Sequence, residues 1–206
     1  MEYHNIIFGL EDSIATITFN RPKALNAMNA ETVKELLHAA TACKNDPNVK
    51  VLIVTGSGEK AFVAGADISQ MQDMKPVDAL SFMELGHETL RLIETMPKPA
   101  IAAINGFALG GGQITALRAY EIGLVNRVLP PDQLLPEAQK FARKLTTLPG
   151  FALKMAKHSI NFGYDLSLDN ATRLEAQCCA QCFSTDDQKE GMKAFLEKRK
   201  PAYIGR

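Results

Sequence analysis

A single change in the spacing of apolar residues constrains the fold of this chain more than any other feature. Before residue 128, short apolar runs typical of β-strands alternate with amphipathic helical stretches, as in a sheet that is covered by helices. From Leu134 onward, the apolar spacing is helical almost throughout. We therefore predict an α/β core over residues 1–128, followed by a helical region over residues 129–206.

Local patterns place the elements of the predicted core. Asn29 precedes an amphipathic stretch and is a good helix cap, and the turn at Glu11–Ser13 separates two strand-like runs that predict a hairpin. The predicted strands are residues 6–8, 14–19, 51–54 and 100–104, and the predicted helices are residues 30–44 and 77–95. In the helical region, Ser184 and Asp187 are spaced like a capping box at the start of the last helix.

The charge balance excludes two classes of partner. Lysine and arginine together number 23, as do aspartate and glutamate, so the net charge is zero and no basic field attracts nucleic acid or an anionic membrane. No apolar run approaches the ~20 residues that span a bilayer. The first residues lack the basic and apolar regions of a signal peptide, and we therefore expect a cytoplasmic protein.

The four cysteines are interpreted as free thiols that pack on helices. Cys43 stands alone, whereas Cys178, Cys179 and Cys182 cluster. A chain with a good core and no secretory signal does not need a disulfide framework. No histidine lies near the cluster to complete a four-ligand site, so we expect no metal.

Two loops of small residues are the candidate sites of chemistry. Ala64–Ala66 and Gly110–Gly112 each follow an apolar strand, and small side chains leave backbone N–H groups uncovered for a ligand oxygen. Two such N–H groups that converge on one carbonyl oxygen form an oxyanion hole, in which each donor contributes ~3–4 kcal/mol to transition-state stabilisation. Taken alone, either loop is better explained as a tight turn or as close packing of the backbone.

Other catalytic patterns do not occur in the sequence. The chain contains no G-x-G-x-x-G or G-x-x-x-x-G-K-[ST] nucleotide loop, no G-x-S-x-G nucleophile elbow and no H-E-x-x-H metal motif. The four histidines are scattered, and the segment that holds Lys154, Lys157 and His158 is interpreted as a solvated helix face. The two small-residue loops therefore remain the candidates.

Motifs distributed over nearly the whole chain resemble those of one known family. The matching segments are residues 19–27 (FNRPKALNA), 62–68 (FVAGADI), 99–112 (PAIAAINGFALGGG), 119–128 (AYEIGLVNRV) and 190–199 (EGMKAFLEKR). In this order they resemble the signature motifs of the enoyl-CoA hydratase/isomerase superfamily, also called the crotonase superfamily. The chain is most similar to its short-chain enoyl-CoA hydratases.

The resemblance implies a fold and a chemistry. Members of this superfamily fold as an α/β spiral of ββα units with an α-helical C-terminal trimerisation region, and their trimers commonly pair into hexamers. They bind acyl-CoA thioesters and need no cofactor beyond the coenzyme A of the substrate. Matched by position, the backbone amides of Ala66 and Gly111 are the two donors that stabilise the enolate-like thioester oxygen.

The same matching assigns the contacts with coenzyme A. Lys23, Ala24 and Leu25 correspond to the segment that touches the nucleotide part, whereas Ala64, Asp67 and Ile68 correspond to the pantetheine and thioester contacts. Phe195 and Lys198 correspond to the C-terminal residues that close the CoA site, often from a neighbouring subunit. Lys198 is therefore expected to meet the CoA phosphates, which favour a point-charge donor.

The chain departs from the family pattern directly after Gly112. The hydratases continue there into a helix that carries the first of two catalytic glutamates, whereas Ile114 occupies that glutamate's position in this chain. About 55 residues of a typical single-domain member, including both glutamates, have no counterpart. Either a mobile stretch of a longer protein is left out of the sequence, or the chain carries an internal deletion.

We favour the omitted stretch over the deletion. Removal of a buried helix and strands, at ~25 cal/mol per Å² of lost apolar burial, would exceed the ~5–15 kcal/mol stability of a typical domain. The expected function is that of an enoyl-CoA hydratase in fatty-acid β-oxidation or butanoate-type metabolism. The alternatives are a Δ3,Δ2-enoyl-CoA isomerase and, for a true deletion, a non-catalytic acyl-CoA-binding protein.

The helical region also predicts association between subunits. It contains more apolar side chains than one thin layer can hide, among them Phe141, Leu145, Leu153, Met155, Ile160 and Phe162. Large exposed apolar patches usually mark interfaces, so we expect a homo-oligomer, either a trimer or a dimer of trimers. The alternative is that these side chains cover the α/β core of their own subunit.

Overall fold

A computed structural model describes residues 1–108 and 114–205 of the chain. Its strands are β1 (Ile6–Glu11), β2 (Ile14–Phe19), β3 (Val51–Gly56), β4 (Ala61–Val63), β5 (Ala100–Ala103) and β6 (Phe107–Ala108). Its helices are α1 (Ala30–Asn45), α2 (Ile68–Met71), α3 (Pro76–Thr95), α4 (Ala116–Glu121), α5 (Pro131–Thr146), α6 (Gly150–Gly163), α7 (Leu168–Cys182) and α8 (Asp186–Leu196). Strands and helices alternate up to α4 and only helices follow, as the apolar spacing predicts.

Four of the strands form one mixed sheet in the order β1-β2-β3-β5. β1 and β2 pair antiparallel through a tight hairpin, in which Asp12 and Ser13 adopt the positive φ values of 50° and 64° that such a two-residue turn requires. β2, β3 and β5 pair parallel, and β4 and β6 form a second parallel pair. Successive strand–strand–helix units therefore wind into a spiral.

Different helices cover the two faces of the main sheet. On one face, Leu36 of α1 packs in a buried cluster with Ile17 and Leu52 of the sheet. On the other face, Ala142 of α5 packs in a second cluster with Ile53. Every residue of β3 is buried, which explains why its apolar run is uninterrupted rather than alternating.

The caps of two helices test the local predictions. Asn29 caps α1 as predicted, because its side-chain oxygen accepts a hydrogen bond from Thr32 N at 2.8 Å. At α8 the prediction is wrong by one residue, since Thr185 rather than Ser184 accepts the hydrogen bond from Gln188 N, at 3.1 Å. The motif therefore indicates the start of the helix correctly, but the observed cap lies one residue after the predicted one.

Two half-buried lysines join the ends of three helices. Lys98 Nζ donates to the carbonyl oxygens of Cys43 and Asp46 at the end of α1, at 2.6 and 2.5 Å. Lys157 Nζ on α6 donates to Ile93 O near the end of α3 at 3.0 Å and to Lys98 O at 2.8 Å. Burial lowers the pKa of both ammonium groups. The prediction that Lys157 lies on a solvated face is therefore wrong.

The helices beyond α5 leave large apolar side chains exposed. Among residues 150–205 the buried apolar side chains are Met155, Cys178 and Ala194, whereas Ile160 is 72% exposed. The accessible surface of the molecule is 13447 Å², compared with about 9,500 Å² for a compact monomer of the same mass. The chain therefore exposes more surface than a compact monomer of its size.

All four cysteines are free thiols. Cys43 is buried between α1 and the sheet, and this burial raises its pKa to about 11, so the thiol stays protonated at neutral pH. Within residues 1–108 and 114–205, no group of three histidine, cysteine or acidic side chains could hold a metal ion. No helix in those two ranges is long and apolar enough to cross a membrane.

Candidate active site

The loop between β2 and α1 combines a short 3-10 turn with an uncommon backbone conformation. Pro22 starts the turn at residues 22–24, because its fixed φ suits the first helical position and its lack of an N–H costs nothing there. Leu25 and Asn26 follow with φ values of 50° and 57°, in the left-handed region. A hydrogen bond of 2.9 Å from Asn26 N to Arg21 O closes the loop.

Two asparagine side chains tie this loop and the end of β5 to one turn, which follows β3. Asn26 is 1% exposed, and its Nδ2 donates to Ser57 O at 3.0 Å and to Ala61 O at 2.8 Å. Asn105 accepts a hydrogen bond from Gly56 N and donates to Gly56 O, at 3.0 and 2.9 Å. The carboxyl ends of β2, β3 and β5 are thereby fixed to one another by side chains.

A short ladder joins the loop before α1 to the loop between β4 and α2. Its backbone hydrogen bonds run from Ala64 N to Leu25 O at 3.1 Å, from Met28 N to Gly65 O at 2.8 Å and from Asp67 N to Met28 O at 2.9 Å. Met28 and Ala66 form a parallel bridge within this ladder. The two loops therefore form one unit, which we call the paired loops (residues 21–28 and 64–68).

The N–H group of Ala66 points away from the ladder. In a parallel bridge of this kind, the residues before and after Ala66 make the hydrogen bonds to Met28, so Ala66 turns its own N–H to the opposite side. Among the hydrogen bonds of residues 1–108 and 114–205, none has Ala66 N as its donor. The Ala66 N–H is therefore directed away from the ladder and has no acceptor among the described residues.

An ion pair closes the end of the ladder. Arg21 Nη2 lies 2.8 Å from Asp67 Oδ2, and Arg21 Nη1 donates to Ala27 O. The other carboxylate oxygen, Asp67 Oδ1, accepts from Ser69 N and Ser69 Oγ at 3.2 and 2.6 Å and so caps α2. Hydrogen bonds from Ser69 and then from Arg21 hold the pKa of the Asp67 carboxyl below its usual value.

The structure brings together all the predicted site residues of the core that it describes. Lys23, Ala24, Leu25, Ala64, Ala66, Asp67 and Ile68 all lie on the paired loops. The side chains of Lys23, Leu25 and Ile68 are exposed, and Ile68 is 79% exposed. Gly111, the second predicted donor, lies outside the described residues. The strand before it in sequence, β6, pairs with β4, which leads into the Ala66 loop.

The two predicted C-terminal contacts lie elsewhere in the chain. Phe195 is near the end of α8 and is 83% exposed, and Lys198 follows it with a left-handed φ of 53°. In the part of the chain that the structure describes, no hydrogen bond or ion pair joins either residue to the paired loops. Their contact with coenzyme A stays a prediction.

Sequence reasoning missed the side chains that hold the loops in place. Arg21, Asn26 and Asn105 all lie within the recognised motifs, but roles were assigned only to neighbouring residues. Carbonyl oxygens in the loops at the ends of parallel strands need hydrogen-bond donors. An arginine or asparagine beside such a loop carries several N–H groups, and this is the sequence signal that could have identified these three side chains.

Comparisons with known proteins define the family. A family model described as enoyl-CoA hydratase/isomerase matches residues 9–119 and 113–206. The chain is 39% identical to the crotonyl-CoA hydratase of Syntrophomonas wolfei over the whole of both chains. It is 37% identical to the short-chain-enoyl-CoA hydratase of Clostridium acetobutylicum, with 97% of each chain covered. This chain belongs to the enoyl-CoA hydratase/isomerase family, as its motifs predict.

Solved structures confirm the fold. The crystal structure of an enoyl-CoA hydratase from Bacillus anthracis matches with a TM-score of 0.93 and 28% identity, and covers 98% of this chain and 100% of that one. An enoyl-CoA hydratase structure from Geobacillus kaustophilus matches with a TM-score of 0.94 and 28% identity, over 100% of this chain and 98% of that one. The predicted crotonase-like spiral of ββα units is therefore correct.

The comparisons also measure the gap in the family pattern. The alignment with the Syntrophomonas protein extends over 260 positions, whereas this chain has 206 residues, so 54 positions have no counterpart here. The two matches to the family model meet at residues 113–119, just after Gly112. The length and place of the absent segment agree with the prediction. The Gly112–Gln113 junction itself lies outside the described residues.

Proposed function

We propose that this protein is an enoyl-CoA hydratase that adds water to the 2,3-double bond of a short-chain 2-enoyl-CoA and yields the 3-hydroxyacyl-CoA. The observation that carries the proposal is the direction of the Ala66 N–H, which points away from the hydrogen bonds that join the paired loops. The names of the Syntrophomonas and Clostridium relatives, a crotonyl-CoA and a short-chain-enoyl-CoA hydratase, support the same substrate class.

Hydration places negative charge on the thioester oxygen, and the paired loops are suited to receive it. A base takes a proton from water as the water oxygen attacks C3, the electron pair of the double bond moves through C2 to the thioester oxygen, and an acid then protonates the enolate at C2. An N–H that already points at this oxygen stabilises the enolate more than the substrate and so lowers the barrier. Ala66 N–H is one donor in this proposal, and Gly111 N–H is the second.

The acid and the base of the reaction belong, in this proposal, to the absent segment. We assign both glutamates of the family pattern to the 54 positions without a counterpart, because Ile114, which is 53% exposed, stands where the resemblance expects the first. Isoleucine cannot transfer a proton, so the described residues bind and polarise the thioester but do not activate water.

Intact-mass measurement and a hydration assay test the proposal together. A purified protein several kDa heavier than 22.5 kDa contains the segment, and we expect it to remove the absorbance of the conjugated thioester of crotonyl-CoA. Unchanged absorbance with this heavier protein would overturn the proposal. If the heavier protein converts a 3-enoyl-CoA into the conjugated 2-enoyl-CoA without hydrating it, the activity is that of the isomerase.

A non-catalytic acyl-CoA-binding protein is the second candidate, and the isoleucine at position 114 favours it. A measured mass of 22.5 kDa would mean that the protein lacks the segment to which the two catalytic glutamates are assigned. We then expect calorimetry to detect binding of crotonyl-CoA, while hydration stays near the uncatalysed rate. The failure of crotonyl-CoA to bind would exclude this candidate.

Substitutions at Gly111 test the second donor. Gly111→Pro deletes the N–H and fixes φ near −65°, so we expect turnover by the heavier protein to fall by roughly 10²- to 10³-fold. Gly111→Ala keeps the N–H and measures crowding alone. If the proline variant stays folded by thermal melting and keeps within about tenfold of normal turnover, Gly111 is not a donor.

A homo-oligomer, either a trimer or a dimer of trimers, is also part of this proposal. The exposed apolar side chains of α6–α8 support it, as does the position of Phe195 and Lys198 away from the paired loops of their own chain. Light scattering at micromolar concentration is expected to give a multiple of the chain mass. A monomer mass would contradict this part of the proposal.

A further inference from the structure

The guanidinium of Arg21 bonds to both of the paired loops. Its Nη1 donates to Ala27 O on the first loop, and its Nη2 lies 2.8 Å from Asp67 Oδ2 on the second. The arginine and aspartate side chains are only 20% and 12% exposed, so water competes weakly for either group.

We propose that Arg21 is a positioning residue, which fixes the direction of the Ala66 N–H by clamping Asp67 to the loop before α1. The inference rests on the proposed function, because it assigns the clamp a role in polarising the thioester. It also gives Asp67 a role different from the pantetheine or thioester contact that the family resemblance implies.

The geometry of the ladder explains why a clamp is needed. Among the described residues, three backbone hydrogen bonds join the Ala66 loop to the loop before α1, and the N–H that would face substrate belongs to the residue between two of them. A peptide plane that is held on one side only can rotate, and a rotated N–H no longer meets the oxygen at hydrogen-bonding distance. Asp67 directly follows Ala66, so fixing its side chain restrains that rotation.

The hydrogen bonds of Asp67 support this role over direct substrate contact. Both of its carboxylate oxygens are already bonded within the chain, one to Arg21 and the other to Ser69. Three of the roughly four lone-pair sites of the carboxylate are therefore occupied, and the charge-assisted hydrogen bonds that occupy them are stronger than neutral ones. The planar fork of arginine reaches Ala27 O and Asp67 at once, whereas a lysine ammonium acts as a single point charge.

The experiment measures enolate formation rather than turnover, so it can be run on the protein whether or not the catalytic glutamates are present. Acetoacetyl-CoA is the probe, because its enolate absorbs in the near ultraviolet and an oxyanion hole lowers the pH at which the bound ligand enolises. Titration of the complex from neutral to alkaline pH gives the midpoint for the native protein, for Arg21→Met, for Arg21→Lys and for Asp67→Asn.

We expect Arg21→Met to raise the enolisation midpoint of the bound probe by about one pH unit, a tenfold loss of enolate stabilisation. Free coenzyme A should bind equally well to both proteins, because the clamp does not contact it in this proposal. Arg21→Lys should recover only part of the shift. The double variant Arg21→Met/Asp67→Asn should be no worse than Arg21→Met alone, since the two residues act as one unit.

A matched control separates positioning from general stability. Arg127→Met removes an exposed ion pair with Glu137 far from the paired loops in sequence, where the side-chain exposures are 63% and 30%, and we expect it to leave the midpoint unchanged. Should Arg21→Met fail to fold, Arg21→Lys and Asp67→Asn, which change less, decide the matter. An enolate signal in the native protein that none of these variants shifts would overturn the role of Arg21. No enolate signal in the native protein would instead count against the proposed function.

Discussion

The core and the C-terminal helices of this molecule are stabilised in different ways. In the core, β3 is buried along its whole length, and side chains such as Asn26 and Asn105 hold the loops at the ends of the strands. In α6–α8 most apolar side chains face outward, and Ile160 and Phe195 are 72% and 83% exposed. A family of enzymes can keep its site precise in the first region while the second region is free to serve contacts between subunits.

This contrast explains why the candidate site lies where it does. An N–H that must keep one direction needs neighbours that do not move, and each of the paired loops follows a largely buried strand, β2 for the first and β4 for the second. Exposed helices cannot supply such restraint within one chain. Phe195, near the end of α8, is 83% exposed, and the contacts of Phe195 and Lys198 with coenzyme A stay a prediction.

The largest difference between the two regions is expected from truncation of apolar side chains. Leu52→Ala in β3 removes a side chain with 0% exposure and should lower the free energy of unfolding by about 2–5 kcal/mol. Ile160→Ala on α6 should change it by less than about 0.5 kcal/mol in the isolated chain. Urea unfolding of both variants measures the contrast, and equal losses would show that the helices are as well packed as the core.

A second difference concerns the space that is available for a methyl group at two glycines. A Cβ on Gly106 would lie 2.4 Å from Lys60 O, a backbone atom that cannot rotate away, so Gly106→Ala should cost about 1–3 kcal/mol. Gly86 in α3 has open space, and Gly86→Ala should stabilise the protein by about 0.5–1 kcal/mol through helix propensity. Thermal melting of the two variants side by side gives the comparison, which fails if Gly106→Ala is neutral.

The sequence predicts elements better than it predicts the side chains that join them. The helix α1 and its cap follow from Asn29 and four apolar positions within one stretch of chain, and the structure confirms them. Lys157 could not be placed in this way, because the carbonyl oxygens that it binds, those of Ile93 and Lys98, are 64 and 59 residues away. The same limit applies to Asn105, because its partner Gly56, at the end of β3, is 49 residues away.

The candidate site shows the same limit in a different form. Ala66 was matched by motif, and the ladder that turns its N–H outward explains the match in physical terms. The pairing of Arg21 with Asp67 joins positions 46 residues apart, and only the folded arrangement of the two loops brings them together. The local sequence pattern therefore identifies the candidate donor, the Ala66 N–H, whereas the residues that fix its direction are found only in the tertiary structure.

The smallest predicted effect concerns the C-terminal tail (residues 197–205), whose attachment to α8 depends on pH. Arg199 and then the Ala202 N–H lower the pKa of Glu190 to about 2. A depressed carboxyl pKa stabilises the folded tail above the ordinary value near 4.5, and this stabilisation is lost as the pH falls from 4.5 toward 2. The amide resonance of Ala202 should report release of the tail in that range, and Glu190→Gln should remove the transition.

The control for this acid transition is the core itself. Resonances of β3 should keep their positions while the tail is released, because no carboxylate of the buried strand takes part. If the core and the tail lose structure at the same pH, the tail is not held independently.

The lysine bridge that joins α6 to α3 and α1 limits how far the chain can be shortened and still fold. A version that stops at residue 128, where the apolar spacing changes, would lose Lys157 and leave Ile93 O in α3 and Lys98 O without this donor. It would also lose α5, whose Ala138 and Ala142 cover one face of the sheet. The shortest fragment expected to remain folded therefore ends after Gly163, and expression trials of the two lengths would show insoluble product for the first and soluble product for the second.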